Sequence, residues 1–215
     1  MEDYLPGKEI AIDALIHEGE VHVLAIFDKP DSLCGPYFPE TIYLTLSGET
    51  DPSLCELKLV LANAVAALGL TKGSVHAEFR ISSAGVYVIE IAARSVGGQC
   101  GSCLRFDNGK PLEQIILEFH LGETDPPYIL DERSFGIMML PVASSGVLQN
   151  IGGLDSARSV ENIEAINITI PLGQSVQALP EGRRYLGFIF ASSPKVEKTE
   201  AALRKAYGTL EVEIV

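Results

Sequence analysis

The sequence is short of cysteine and of long apolar runs, and these two lacks exclude two classes of protein. Its 215 residues include four cysteines, too few for the disulfide scaffold of a secreted protein of this length. No stretch reaches the roughly 18 uncharged apolar residues of a membrane-spanning helix, and the first residues do not follow a signal-peptide pattern. We therefore expect a cytoplasmic protein.

Basic residues are also scarce. The chain has 16 lysines and arginines against 29 aspartates and glutamates, which gives a net charge of −13. Such a chain repels the phosphates of nucleic acids and of anionic membranes, so neither is an expected partner. The hydrophobic content of 47% is ordinary for a globular protein, and the length allows one domain or two small ones.

Two runs near the middle of the chain predict a β-hairpin around which the rest is organised. Residues 75–82 and 86–92 are rich in β-branched and aromatic side chains, and Ser83-Ala84-Gly85 between them is a turn signal. A hairpin centred on this turn places Glu78 opposite Glu90. Side chains that face each other on antiparallel strands have Cβ atoms about 4.5–5.5 Å apart, and like charges there are destabilising.

A facing pair of carboxylates is tolerated when a cation lies between the two groups or when they share a proton. Mg²⁺ suits such a pair, because it uses few protein ligands and completes its octahedron with water and substrate phosphates. Arg94 falls on the face of Glu90 by the period of two, provided that the strand continues that far. The pattern is equally compatible with a register shifted by one residue, which would leave Glu78 and Glu90 on a solvated surface.

The remaining periodicities predict an α+β fold. Helices are expected at residues 52–69, 110–121 and 196–207, and further strands at residues 10–16, 21–27, 135–142, 163–170, 184–191 and 210–215. Prolines make residues 124–127 the best candidate for a linker. Cys100 and Cys103 have the C-x-x-C spacing of a redox or zinc site, but zinc would need two more ligands, and small buried cysteines are the commoner case.

The hairpin resembles the metal-binding hairpin of the ATP-grasp superfamily, where one strand carries a glutamate and the next carries Glu-Ile-Asn-x-Arg. The second motif stands here as Glu90-Ile91-Ala92-Ala93-Arg94. The resemblance implies that Glu78 and Glu90 bind Mg²⁺ (or Mn²⁺), and that Arg94 is a catalytic residue that stabilises the charge of the reaction intermediate. Ala92 replaces the usual asparagine, which removes one oxygen ligand of a second metal ion.

The start of the chain resembles the ATP-grasp hinge, in which Glu-x-Tyr-Leu is followed by Gly-x-Glu. The matching residues here are Glu2, Tyr4, Leu5 and Glu9. The resemblance implies that Glu2 and the backbone beside Tyr4 and Leu5 contact the adenine of ATP, and that Glu9 holds the ribose hydroxyls.

Residues 28–40 resemble the substrate loop of the L-amino-acid ligase branch, where Asp-Lys precedes a Phe-x-Glu-x-x-His pattern. Phe38 and Glu40 match this pattern, whereas Tyr43 stands where the branch has histidine. The resemblance implies that Lys29 and Glu40 bind substrate, Glu40 through charge-assisted hydrogen bonds to an amino group. Because Tyr43 replaces the histidine, the loop does not identify the amino acid.

Residues 128–215 resemble the C-terminal extension of L-amino-acid ligase-like proteins in the pieces G-I-M-M-L-P, S-G-V-L and Y-L-G-F-I-F-A. The chain is thereby divided into the large lobe of an ATP-grasp domain at residues 1–122 and an α+β extension at residues 128–215. ATP-grasp enzymes also have N-terminal lobes that cover the phosphates, whereas this sequence starts at the hinge. We expect a fragment or split half that is inactive alone and works with those lobes, in cis or as a separate chain.

The activity implied by the resemblance is the ligation of a small carboxylate or amino-acid substrate to an amine. ATP would activate the carboxylate as an acyl phosphate in the presence of Mg²⁺, and the amine would then displace the phosphate. Two alternatives stay open at this point. One is the activation of bicarbonate, as in carbamoyl-phosphate synthase and biotin carboxylase, and the other is a non-catalytic binding protein. A homodimer is compatible with either.

Overall fold

The computed structural model describes residues 4–31, 40–46, 52–106, 109–179 and 181–215, with no side-chain description for residues 52 and 53. The chain has the α+β fold that the sequence predicts, with antiparallel sheet as its main component. It forms two compact units. The first consists of the described residues of Met1–Lys29 and Thr45–Glu132, and the second of those of Pro30–Leu44 and Arg133–Val215.

The described residues form eleven strands, four α-helices and one 3₁₀ turn at Cys100–Cys103. No helix among these residues is long and apolar enough to cross a membrane. The bounds are β1 (Lys8–His17), β2 (Glu20–Asp28), β3 (Ile42–Thr45), α1 (Pro52–Ala67), β4 (Gly73–Ser82), β5 (Gly85–Ala92), α2 (Leu112–Leu121), β6 (Ser134–Leu140), β7 (Gly146–Gly152), α3 (Leu154–Arg158), β8 (Ile163–Ile168), β9 (Ser175–Val176), β10 (Gly187–Ser193), α4 (Val196–Tyr207) and β11 (Glu211–Ile214).

In the first unit, β1 is the central strand of the sheet. It pairs with β2 on one side and with β4 on the other, and β5 pairs with the far side of β4, all antiparallel. Alternate side chains of β1 and β4 point to one face, where Ile10, Ile12 and Phe79 pack with Leu57 and Leu61 of α1. These five side chains are at most 2% exposed. The other face of the same two strands is therefore left for polar residues.

In the second unit, β3, β6, β10 and β8 pair in that order, and β11, β7 and β9 form a separate small sheet. Helix α4 packs closely at Gly136 of β6, where a Cβ atom would lie 2.8 Å from the side chains of Leu44 and Thr199. A larger residue would push the helix away. The apolar core of this unit includes Leu148 and Leu203, both without solvent exposure.

The structure adds three strands, β3, β7 and the two-residue β9, that the sequence does not predict. The longest of these, β7, contains glycine at both ends and does not alternate as a strand usually does. Its two buried residues, Leu148 and Ile151, are three positions apart, because the pairing with β11 is irregular between Glu213 and Ile214. A spacing of three hides the period of two on which the recognition of a strand depends.

The domain boundary expected between residues 122 and 128 stays a prediction that limited proteolysis can test. The backbone N–H of Glu123 donates to the carbonyl of Glu118 at 2.9 Å and ends α2, and the side chain of Glu123 is exposed. Endoproteinase Glu-C should therefore cut after Glu123 before it cuts after Glu197, which lies inside α4. A chain that is cut elsewhere first would contradict the boundary.

Candidate functional site

The carboxylate pair predicted for the hairpin is present. Glu78 of β4 and Glu90 of β5 are directly opposite each other, as predicted, but the four pairs nearer the turn are shifted by one residue from the predicted register. The register changes just beyond the pair, where Phe79 lies opposite Val88 and Ile89 becomes the extra residue of a β-bulge. A bulge bends its strand and re-aims nearby side chains, as is common next to active sites.

The two glutamates have different surroundings. The side chain of Glu78 is 17% exposed, whereas Glu90 is exposed on the edge strand. The strand β5 ends at Ala92, so it does not continue far enough to place Arg94 on the face of Glu90 by the period of two. Arg94 lies in the turn that follows, is exposed, and donates from Nη1 to the carbonyl of Ser95 at 2.9 Å.

A buried lysine connects the site to the central strand. Nζ of Lys29, directly after β2, lies 2.6 Å from Oε1 of Glu9 and 2.8 Å from Oε1 of Glu78. The other carboxylate oxygen of Glu9 accepts a hydrogen bond from Nη2 of Arg80 at 2.6 Å. The side chains of Lys29 and Glu9 are 3% and 6% exposed. Removing one partner from such a buried ionic contact leaves an uncompensated charge and strongly destabilises the fold.

The period of two on β1 and β4 explains how these charges meet. Glu9 is opposite Arg80, and Asp13 is opposite His76, in the ladder between the two strands. His76, Glu78 and Arg80 alternate along β4 with the apolar residues that face α1. The same strands therefore supply an apolar face to the core and a charged face to the site.

Asp13 and His76 form a second buried contact on this face. Nδ1 of His76 lies 2.6 Å from Oδ1 of Asp13, and its Nε2 lies 3.6 Å from Oε1 of Glu78. The other carboxylate oxygen of Asp13 accepts a hydrogen bond from the backbone N–H of Val96 at 3.0 Å. Asp13 thus joins the central strand to the segment that follows Arg94.

Two pKa values on this face are shifted strongly. Burial acts to lower the pKa of His76, but the hydrogen bond with Asp13 and the charges of Asp13 and Glu78 outweigh it and raise the pKa to about 9. The imidazole of His76, 3.6 Å away, lowers the pKa of Glu78, burial raises it, and Lys29 lowers it further, to about 2. At neutral pH the imidazole is protonated and the Glu78 carboxylate is ionised.

Repulsion between two facing carboxylates acts to raise the pKa of at least one of them, but it does not determine the pKa of Glu78. Its pKa falls instead, because His76 and Lys29 supply positive charge beside the carboxylate. A glutamine at position 78 would relieve the repulsion from Glu90, but it would also remove the charged partner of Lys29 and His76 and so destabilise the chain.

The residues that the resemblance assigns to ATP differ in their exposure and in their contacts. Glu2 lies outside the described residues. Tyr4 is exposed, with its ring centroid 5.8 Å from the guanidinium carbon of Arg80, and Leu5 is half-buried. Glu9 is 7% exposed, and both of its oxygens contact cations, whereas the resemblance assigns this carboxylate to ribose hydroxyls. These ATP contacts stay predictions.

The two residues assigned to substrate have specific partners of their own. Lys29 is a buried contact of two carboxylates rather than an exposed loop residue. Glu40, which precedes β3 in the second unit, is half-buried and accepts a hydrogen bond from the hydroxyl of Tyr43 at 2.5 Å. Tyr43, which replaces the histidine of the family pattern, thus contacts Glu40, which matches the pattern. Phe38 lies outside the described residues.

The C-x-x-C turn does not contribute to this site. Cys100 and Cys103 are 2% and 4% exposed, as expected for small buried cysteines. The Sγ of Cys103 donates to the carbonyl of Cys100 at 3.0 Å. Among the described residues, neither cysteine belongs to a group of three possible metal ligands.

Three charged residues of this face, Asp13, His76 and Arg80, were not predicted from the sequence. The signal was available, since each occupies a polar position in an otherwise apolar alternation on a buried strand. A charged residue in such a position requires a partner of opposite charge. The partners, however, lie on neighbouring strands and become evident only once the strand order is known.

The carboxylate pair fits a magnesium ion on the chemistry of its donors. Carboxylate oxygens are the ligands that Mg²⁺ prefers, and Glu78 is ionised over the whole neutral range. Glu90 is exposed and can be reached by a hydrated ion and a phosphate. A divalent cation would share the Glu78 carboxylate with Lys29. Its affinity would therefore depend on the contact between the Lys29 ammonium and Glu9.

Family comparisons agree with both parts of the chain. Residues 1–103 match the sequence model of the ATP-grasp domain, and residues 138–215 match that of L-amino acid ligase C-terminal domain 2. No curated protein sequence matches the chain significantly. The two matched segments contain the hairpin with its carboxylate pair and most of the second unit, respectively.

Solved structures give the same result at the level of the fold. An L-amino acid ligase from Bacillus licheniformis is 28% identical with a TM-score of 0.83, and the match covers 99% of this chain and 53% of the ligase. A phosphoribosylglycinamide synthetase from Anaerococcus prevotii is 15% identical with a TM-score of 0.79, over 99% of this chain and 55% of that protein. The chain therefore spans about half the length of the solved structures that it matches.

A biotin carboxylase domain from Hydrogenobacter thermophilus also matches. It is 16% identical with a TM-score of 0.66, and the match covers 97% of this chain and 46% of that domain. That structure was obtained in complex with MgADP, ADP and bicarbonate. At this identity the similarity establishes the fold alone.

Proposed function

Because the chain belongs to the ATP-grasp superfamily, we propose that it provides the carboxylate pair and the catalytic arginine of an ATP-dependent carboxylate–amine ligase. The observation that carries the proposal is the direct pairing of Glu78 with Glu90 beside a buried lysine. Two acidic side chains held on adjacent strands, one of them exposed, are suited to a magnesium ion that also binds phosphates.

In this proposal, Glu78 and Glu90 hold Mg²⁺ or Mn²⁺. When bound, the ion neutralises the charge of the ATP phosphate oxygens during transfer of the terminal phosphoryl group. Lys29 and His76 keep Glu78 ionised and fixed before the ion arrives. This preorganisation matters because catalysis of phosphoryl transfer relies on positioned charges.

Arg94 is proposed to stabilise the negative charge of the acyl phosphate and of the tetrahedral intermediate formed when the amine attacks. Its exposure leaves the guanidinium free to approach a ligand. The hydrogen bond between Asp13 and the N–H of Val96 supports this role, because it fixes the segment two residues beyond Arg94 to the central strand. A fixed segment reduces the entropy lost when the arginine binds an anion.

The ATP contacts are proposed for Glu2, Tyr4, Leu5 and Glu9, with the adenine next to the exposed ring of Tyr4. For Glu9, a role in holding Lys29 and Arg80 is supported directly by its contacts.

On the acceptor side, Glu40 is proposed to bind the amino group of an amino acid substrate, with Tyr43 orienting its carboxylate. Lys29 is proposed to act there through Glu78 rather than by touching substrate. The match of residues 138–215 to L-amino acid ligase C-terminal domain 2 favours an amine acceptor over the activation of bicarbonate.

The 215-residue chain alone is expected to bind Mn·ATP weakly and to hydrolyse none of it. Among the described residues, the cations next to Glu78 and Glu9 already contact carboxylates, and a triphosphate needs several further positive groups. Electron paramagnetic resonance of Mn²⁺ with ATP would measure binding, and phosphate release with a panel of amino acids would measure turnover. The matched control is Glu90→Gln. Magnesium-dependent turnover above that control would contradict the expectation.

A chimera tests the ligase activity itself. The chain would replace the matching half of the Bacillus licheniformis ligase, with which it shares 28% identity. We expect ATP-dependent joining of amino acids, and a loss of about 100-fold or more in Glu90→Gln and Arg94→Met, since each removes a charge from the transition state. A folded chimera that binds ATP but has the same activity with and without Glu90 would favour a non-catalytic binding protein.

A further inference from the structure

The second unit contains a cavity that no part of the proposed ligase mechanism uses. It has a volume of about 310 Å³ and is lined by Ile170, Ser175, Val176, Gln177, Arg183 and Arg184, among others. This volume is at the lower end of the range for ligand pockets, roughly 300–1,000 Å³. We call it the arginine cavity. All of its lining residues are on the second unit, whereas the carboxylate pair is on the first.

The two arginines of this cavity are not neutralised by an acidic side chain among the described residues. Arg184 donates from Nη2 to the carbonyl of Thr169 at 3.5 Å, a long contact with a neutral group. By contrast, Arg158 and Arg204 of the same unit contact Asp155 and Asp31. Two arginines that line one cavity supply the positive charge and the planar hydrogen-bond donors that an anion requires.

The floor of the arginine cavity is apolar. Ile170 and Val176 are 3% and 4% exposed and belong to the core of the unit. A neighbouring cavity of about 280 Å³ shares Ile170, but its other lining residues are uncharged, for example Leu154 and Pro171. Of these two neighbouring cavities, only the arginine cavity is lined by positively charged residues.

The backbone around the arginine cavity is held in place. The N–H of Gly182 donates to the carbonyl of Ala178 at 2.9 Å, and the N–H of Ala178 donates to the hydroxyl of Ser145 at 3.0 Å. A Cβ atom at Gly182 would lie 1.9 Å from the carbonyl oxygen of Gln177, so only glycine permits this close approach. Arg183 follows directly, at a position that these contacts define.

We propose that the arginine cavity binds a small aliphatic monocarboxylate. The carboxylate contacts the guanidinium groups of Arg183 and Arg184, and the aliphatic part covers Ile170 and Val176. Ser175 and Gln177 supply hydrogen bonds at the rim. A guanidinium recognises a carboxylate through two parallel hydrogen bonds, and the apolar floor distinguishes such a molecule from inorganic anions.

The test is isothermal titration of the full 215-residue chain with 4-methylpentanoate at low ionic strength. Arg183→Gln and Arg184→Gln should each weaken binding by about tenfold or more, which corresponds to ~1.4 kcal/mol. Arg158→Gln is the matched control, because it removes the same charge from an exposed arginine of the same unit that does not line the cavity. It should change the affinity by less than about twofold, since a charge that does not contact the ligand contributes little at moderate distance.

Two further ligands separate the possible causes. The neutral 4-methylpentanamide should bind at least about tenfold more weakly than the acid, since it lacks the charge that the arginines recognise. Inorganic phosphate that binds as tightly as 4-methylpentanoate would overturn the proposal, since the apolar floor would then play no part. Equal binding to the wild type and to both arginine variants would also overturn it. Neither outcome depends on ATP or Mg²⁺, so the ligase proposal is tested separately.

Discussion

Replacing Lys29 with methionine is expected to lower the free energy of unfolding by about 3–5 kcal/mol, the usual consequence of removing one partner from a buried ionic contact. The ammonium lies 2.6 Å from Glu9 and 2.8 Å from Glu78. Methionine fills a similar volume but leaves two carboxylates close together in a region that excludes water. Since a typical domain is stable by only about 5–15 kcal/mol, this single change removes a large share of the total.

The matched control is Lys8→Met. Lys8 also contacts a carboxylate, that of Asp28 at 3.0 Å, but its side chain is 55% exposed. Solvent screening should limit the cost there to about 0–1 kcal/mol. Urea denaturation at pH 7, followed by circular dichroism, would measure both variants. If Lys29→Met were as mild as Lys8→Met, the two carboxylates would have to be solvated or protonated, and the buried network would be refuted.

The resemblance assigns Lys29 to substrate, whereas the structure shows it in contact with Glu9 and Glu78. The sequence could not reveal these partners. In sequence, Lys29 begins a loop rich in proline and glycine, and loops commonly carry substrate contacts. Its partner Glu78 is 49 residues away, so no local period connects them. Only the strand order, with β1 between β2 and β4, brings the end of β2 next to the middle of β4.

The hairpin and the pairing of Glu78 with Glu90 were predicted from the sequence, but the register at the turn was not. The turn signal predicts a centre one half-residue away from the observed one, so the pairs from Ser82–Gly85 to Phe79–Val88 are shifted by one residue, and the extra residue Ile89 brings Glu78 opposite Glu90. The bulge at Ile89 could not be predicted, because an extra residue changes the register without changing the composition. Arg94 was misplaced for a related reason: the apolar run continues to Ala93, but the ladder ends at Ala92.

Charged residues on buried strands indicate from the sequence alone that buried ionic contacts exist. Asp13 and His76 are 63 positions apart and are 1% and 4% exposed. Each interrupts an alternation of apolar residues, and a buried charge without a partner would be costly. The sequence therefore indicates that partners exist, but their identity depends on tertiary structure.

The shifted pKa values predict how stability depends on pH. His76 has a folded pKa of about 9 against an ordinary value of 6.5, so its contribution is fully present below pH 6.5 and is lost as the pH rises through 9. Glu78 has a folded pKa of about 2 against 4.5, so its contribution is present above pH 4.5 and is lost as the pH falls through 2. Both contributions are complete between these limits, from pH 4.5 to 6.5.

The expected result is a fall in the free energy of unfolding of roughly 3 kcal/mol between pH 6.5 and 9, at ~1.4 kcal/mol per unit of pKa difference. Urea denaturation at several pH values would measure it. His76→Gln should lower stability at pH 6 and remove most of this alkaline loss, because its amide does not titrate. His120→Gln, at an exposed position of α2, is the control and should keep the wild-type slope. An alkaline loss that persists in His76→Gln would mean that another group titrates, and the protonated imidazole between Asp13 and Glu78 would then be refuted.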